Sequence, residues 1–195
     1  MTGKLLSAEP YVAVNWSNGI DMRTGRPRIN PQARYDKTGG TWIGKPSSLG
    51  GHNWQPMAFN PATGLAYIPI VEMVGVYKSD PNFHPQPMTS NTGDDVAAIA
   101  SVLTDRSKAK LLSVTKGALL AWNPVTQKAV WRAPNPGIWN GGVLTTAGNL
   151  VIQGDSEGHL NAYDAKTGAK LWSFDAQNPV LAAPRSPMRS TANNM

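Results

Sequence analysis

The sequence predicts an all-β protein, part of a β-propeller, and three observations carry that reading. Residues 137–174 contain four short β-rich runs, 142–146, 149–153, 159–163 and 170–174. The turns between them are Ala147-Gly148, Gly-Asp-Ser-Glu-Gly over 154–158 and Asp-Ala-Lys-Thr-Gly over 164–168. Four short antiparallel strands joined by tight turns make one propeller blade. The second observation is a repeat. A shift of 41 residues, the separation of Trp131 and Trp172, lays 119–131 on 160–172. It matches Ala121 with Ala162, Trp122 with Tyr163, Asn123 with Asp164 and Thr126 with Thr167. About 40 residues is the length of one four-stranded blade. The third is composition: 7 Trp, 19 Gly and 16 Pro with only 15% charged residues suit a turn-rich β protein and exclude disorder.

The repeat positions have physical roles. A small Ala lets sheets approach, and the aromatic after it fills the space between them. Asp or Asn accepts hydrogen bonds from the turn N–H groups, and Gly supplies positive φ. The Trp then buries a large ring whose N–H needs a partner. A third copy, Ala58-Phe-Asn-Pro-Ala-Thr-Gly64, carries Ile68 where the tryptophan would fall. A fourth, Asp21-Met-Arg-Thr-Gly25, keeps only the turn.

In chain order, weak period-two alternation predicts a strand over 11–14. Residues 23–48, rich in Pro, Gly, Arg and Lys, read as a long connection. A strand follows over 65–71, where Pro69 signals an edge or a bulge. Residues 78–110 read as an irregular insert between blades, with a short helix over 97–103. Strands resume at 111–114, 117–122 and 128–131. The repeat region is assigned to 1–184 and an unstructured tail to 185–195.

Zero Cys excludes disulfides, thiolate zinc sites and covalent haem attachment within this chain. The net charge of +6 comes from scattered Lys and Arg without a basic run, so no nucleic-acid partner is expected. No apolar run is long enough for a transmembrane segment, and no signal-peptide pattern is present.

The pattern Ala-x-Asp-x-x-Thr-Gly-x-x-x-Trp at 162–172 resembles the tryptophan-docking motif of pyrroloquinoline quinone (PQQ) dependent dehydrogenases. Gly-Gly-His-Asn-Trp-Gln-Pro-Met over 50–57 and Trp-Asn-Gly-Gly-Val-Leu over 139–144 are more specific. They resemble the C-terminal blades of quinoprotein and quinohaemoprotein alcohol dehydrogenases. The resemblance implies several blades of an eight-bladed parent, with the chain a fragment of the family protein. It also implies PQQ as cofactor and calcium whose ligands lie outside this chain. Haem c in a separate domain of the full protein is a further cofactor it admits. The implied partners are a small alcohol substrate and an electron acceptor, cytochrome c or ubiquinone, in the periplasm.

Carried over by motif position, the cofactor-facing residues are Asn53, Trp54 and Trp139. A flat, carboxylate-bearing quinone needs apolar planes and hydrogen-bond donors, which two indoles and an amide provide. No catalytic residue and no metal ligand is assigned to this chain. His52 is read as shaping its loop, and His159 as structural. Asp155 and Glu157 are read as turn residues, and Asp94-Asp95 carries no site. The alternative function is a non-catalytic propeller scaffold for protein contacts, of the outer-membrane assembly type.

Overall fold

The computed structural model describes residues 3–182. In chain order, β1 (Ser17–Asp21) and β2 (Arg26–Ile29) form a hairpin. A 3-10 turn (Pro31–Ala33), α1 (Tyr35–Thr38), β3 (Trp42–Gly44), β4 (Ala58–Asn60), β5 (Leu65–Glu72) and β6 (Gly75–Tyr77) follow. Then come α2 (Val96–Val102), α3 (Asp105–Ser113), β7 (Lys116–Asn123), β8 (Lys128–Asn135) and β9 (Val143–Thr145). The last strands are β10 (Leu150–Gly154), β11 (His159–Asp164) and β12 (Lys170–Asp175). Two antiparallel four-stranded sheets, ordered β4-β5-β7-β8 and β9-β10-β11-β12, are propeller blades, here called the first and second blade. Smaller sheets pair β1 with β2 and β3 with β6. The fold is an all-β partial propeller.

β7 explains the packing. Its run Gly-Ala-Leu-Leu-Ala-Trp is buried on both faces, as expected of a strand between two others and between two layers. Leu119 and Ala121 point one way, joining Leu65, Tyr67 and Ala133 against Val143, Val151, Tyr163 and Ala165 of the second blade. Ala118, Leu120 and Trp122 point the other way with Ile68 and Ile70, and Tyr11 and Val12 cover them.

Several expectations are corrected. Residues 11–14 form no strand; Tyr11 and Val12 act as irregular chain laid on the apolar face, with Tyr11 edge-on to Trp122 at 6.2 Å. The stretch 23–48 contains β2, the 3-10 turn, α1 and β3. The 78–110 insert lies within a blade, not between blades, because β5 and β7 on either side of it pair directly. Residues 111–114 are not a strand; 111–113 are the last turn of α3, whose start is capped by Thr104 accepting from the Ser107 N–H. The copy at 58–64 is the β4–β5 hairpin, whereas 119–131 and 160–172 span the last hairpin of each blade, so it repeats the turn and not the blade position. The tail assigned to 185–195 lies outside the described residues.

Pro69 sits inside β5, opposite Leu119 of β7. On its other side β4 has already ended, since Ala58 pairs with Tyr67. The Pro69 carbonyl points there and lies 2.9 Å from His52 Nδ1. The missing N–H therefore faces a locally unpaired edge, and the ladder loses nothing.

Candidate functional site

The 49–56 loop is tied to the far end of β5. Val71 N–H donates to the Gly51 carbonyl at 2.9 Å, and His52 is bound to Pro69 as above. His52 thus holds its loop. Asn53 Nδ2 donates to the Leu49 carbonyl at 2.9 Å, while its Oδ1 accepts the Trp54 N–H at 2.9 Å. Those two bonds fix which way the amide points and leave its second N–H uncommitted. Trp54 is 58% exposed, and the next residue, Gln55, is 1% exposed. Pro56 then accepts the Val143 N–H at 2.9 Å, joining this loop to the second blade.

The second loop, 136–142, follows β8. Asn140 Nδ2 donates to the Gly137 carbonyl at 2.6 Å, Gly141 N–H donates to Gly154 at 2.8 Å, and Gln153 Nε2 donates to Gly141 at 2.9 Å. Asn135 Nδ2 in turn reaches Gln153 Oε1 at 3.0 Å. This amide chain leaves Trp139 39% exposed beside Asn140 at 3%. Gly117 lies directly beneath. A Cβ there would collide with the Gly137 carbonyl and stand 2.8 Å from Asn140 Nδ2.

Gly117 and Val71 are register partners on neighbouring strands. The two loops therefore sit at the same end of the first blade and present Asn53, Trp54 and Trp139 to solvent. Those three are the residues that the family resemblance carried over by motif position. Sequence reasoning did not single out Asn140 and Gly117, which meet at the Trp139 loop, or the burial of Gln55. The buried–exposed alternation at Trp54-Gln55 and Trp139-Asn140 lies in loops, where no period announces it. The approach of Gly117 to Gly137 and Asn140, across strands, likewise has no local signal.

One charge cluster marks this end of the blade. Glu72, next to Val71, is paired with Arg132 and lies 3.6 Å from Lys116 Nζ. The Arg132 hydrogen bond holds its carboxyl below the ordinary range, against the opposing effect of burial. Farther along, the 154–158 turn supports the Trp139 loop, since a Cβ on Gly137 would stand 2.9 Å from Ser156 Oγ. Asp155 is the hub of that turn. Its Oδ1 accepts N–H groups of Glu157 (3.0 Å) and His159 (2.9 Å), and its Oδ2 accepts Asn161 Nδ2 at 2.9 Å. Burial works to raise this carboxyl, but the donors from His159, Asn161 and Glu157 together bring it below its ordinary value. His159 Nδ1 lies 3.3 Å from Asp155, a structural placement. Asp95 accepts the Ala98 N–H at 2.8 Å and caps α2.

The donor set fits a flat, polar-edged aromatic group. Two indoles offer apolar planes to solvent, and Asn53 offers an N–H held in a fixed direction. Gln55 Oε1 and Asn140 Oδ1, each on the residue after an exposed indole, are buried without a hydrogen-bond partner, as are Asp94 Oδ1 and Asn149 Oδ1 outside these loops.

Comparison with known proteins bears on the family and the fold. Residues 90–193 match the family model PQQ_2, described as outer membrane protein assembly factor BamB. The chain is 45% identical over 182 residues to quinohemoprotein alcohol dehydrogenase ADH IIB of Pseudomonas putida, covering 93% of this chain and 25% of that protein. It is 41% identical over 184 residues to the dehydrogenase subunit of alcohol dehydrogenase (quinone) of Gluconacetobacter polyoxogenes, covering 94% of this chain and 25% of that one. The solved structure of quinohemoprotein alcohol dehydrogenase ADHIIG from Pseudomonas putida HK5 superposes with a TM-score of 0.83 at 38% identity, over 93% of this chain and 27% of that one. The chain spans about a quarter of the length of the curated relatives it matches. With two blades, their repeat and the sequence similarity in agreement, the chain belongs to the PQQ-dependent alcohol dehydrogenase family.

Proposed function

We propose that this chain supplies one side of the PQQ site in a periplasmic dehydrogenase that oxidises alcohols to aldehydes and passes electrons to cytochrome c or ubiquinone. The observation that carries the proposal is the placement of Asn53, Trp54 and Trp139 at one end of one blade, exposed and on loops tied by hydrogen bonds. Calcium-bound PQQ supplies the electron-accepting chemistry when present. The chain's own residues orient and desolvate. Trp54 and Trp139 provide apolar faces that exclude water from a planar ring. Asn53 would offer its free N–H to an acceptor on the bound ring, and Asn140 ties the loop that carries Trp139.

The general base and the calcium ligands are read as lying outside this chain, so the chain alone is inactive. Purified chain with PQQ, calcium and a primary alcohol is expected to reduce no dye acceptor above the level of PQQ and calcium without protein. Sustained, alcohol-dependent dye reduction would overturn that. A scaffold reading draws on the description of the matching family model. It gives no reason for two exposed indoles and an oriented amide to share one end of a blade.

A further inference from the structure

The two-stranded β3–β6 sheet and α3 face each other across a gap. The register of the sheet pairs Trp42 with Tyr77, Ile43 with Val76 and Gly44 with Gly75, so alternate residues take opposite faces. On one face the Tyr77 ring lies over Gly44 and Gly75, where a Cβ on either would collide with it, and Tyr35 stacks on that ring at 5.6 Å. The other face carries Thr41, Ile43 and Lys45 along β3 and Val74 and Val76 along β6. α3 turns a stripe of its own toward it, Ser107, Lys110, Leu111 and the capping Val114, at helical spacing. Between the two walls lies a slot of about 610 Å³, the size of a small-molecule site. Its apolar side chains are left uncovered, with Ile43 53% and Val114 41% exposed.

Both walls lie within residues 41–114 and are held by bonds of their own. Asn15 Nδ2 donates to the Ile43 carbonyl at 2.9 Å, and its Oδ1 accepts the Lys45 N–H at 2.7 Å. At the end of α3, Thr115 Oγ1 donates to the Leu111 carbonyl at 2.9 Å, and β7 begins at the next residue. The polar groups of the slot are few. Ser107 Oγ donates to the Thr104 carbonyl at 2.9 Å, within its own helix. No acidic residue lines the slot, and Lys45 and Lys110, one from each wall, make no ion pair among the described residues. Lys116, in a smaller slot adjoining at Lys45, is already paired with Glu72. An apolar cavity takes an apolar ligand in preference to water, and lysines lay their stems along its walls with the charge at the rim. We propose that this slot binds a straight-chain carboxylate, its alkyl tail between β3–β6 and α3 and its carboxylate held by Lys45 and Lys110. The inference does not depend on the cofactor reading.

Calorimetric titration of the full chain with decanoate, below the concentration at which it forms micelles, tests the proposal, with circular dichroism confirming that each variant is folded. Saturable one-to-one binding is expected, with butanoate and decyltrimethylammonium binding far more weakly, the first for want of a tail and the second for its charge. Lys45→Gln and Lys110→Gln are each expected to weaken decanoate binding about fivefold, as for one ion pair at an exposed rim. The double variant is expected to lose the preference for decanoate over decyltrimethylammonium. Ile43→Trp fills the slot from an exposed position and is expected to abolish binding. Leu112→Trp, on the outer side of α3 and 72% exposed in wild type, is expected to leave it unchanged. Absence of saturable decanoate binding overturns the proposal, as does a double lysine variant that binds as wild type does. Equal losses in Ile43→Trp and Leu112→Trp overturn it too. Binding to anionic phospholipid vesicles without binding to free decanoate also overturns it, and would assign the lysines to a membrane surface instead.

Discussion

The indole nitrogen of Trp131 lies 3.0 Å from the carbonyl oxygen of Ala165, and the hydroxyl of Tyr67 donates to the same oxygen at 2.9 Å. Two side chains of one blade thus converge on one backbone acceptor of the next, and the Tyr67 and Trp131 rings lie 5.7 Å apart. Trp131→Phe keeps most of the apolar contact and loses the N–H, so a cost of about 1 kcal/mol is expected. Trp131→Ala is expected to cost about 3 kcal/mol. Urea denaturation followed by circular dichroism measures both. Equal costs for Phe and Ala would show that packing contributes little at this joint.

Gly117→Ala tests how the first blade supports the Trp139 loop. Its Cβ would meet the backbone of Gly137, which cannot rotate away as a side chain could. A loss of about 2 kcal/mol is expected, with a changed Trp139 environment. Gly148→Ala is the control, because its nearest contact is Thr146 Oγ1 at 3.7 Å. If the two variants unfold at the same urea concentration, the close approach at Gly117 is not needed.

Asp155→Asn separates the turn hub from its charge. The folded carboxyl has a lower pKa than the unfolded one, so its stabilisation is complete above the ordinary value of about 3.9 and is lost as pH falls through the lower folded value. At neutral pH the substitution is expected to cost about 2 kcal/mol, since charge-assisted bonds from two N–H groups and Asn161 are weakened. Acidification should then cost the variant less than the wild type. Urea midpoints at neutral pH and below about pH 4 give the comparison. An equal acid loss in both proteins would assign the sensitivity to other carboxylates, such as Glu72.

Much of the second blade was legible because its turns carry the signal. Gly148, Gly158 and Gly168 bracket runs too short for helices, and the observed strands match those runs to within one residue at either end. β1 and β2 were not legible: Ser-Asn-Gly-Ile-Asp and Arg-Pro-Arg-Ile have neither alternation nor β-branched density, and only the 21–25 turn between them shows. The run 111–114 was misread because Leu-Leu-Ser-Val fits a strand and the end of a helix equally well. The deciding sign was Thr104 ahead of Asp105, seven residues upstream. At the candidate site, the motif resemblance pointed to Asn53, Trp54 and Trp139. The burial of Gln55 and Asn140 depends on which strands pass beneath, and β7 comes from beyond a long insert.

The most direct measurement is titration of the purified, folded chain with PQQ, with and without calcium, following tryptophan fluorescence. Saturable quenching is predicted, weakened about tenfold or more in Asn53→Ala and in Trp139→Ala, each losing about 1.4 kcal/mol or more of binding free energy. Asn53, Trp54 and Trp139 would then form one face of a quinone site that the two blades build on their own. Quenching that never saturates, or that both substitutions leave unchanged, would contradict the assignment.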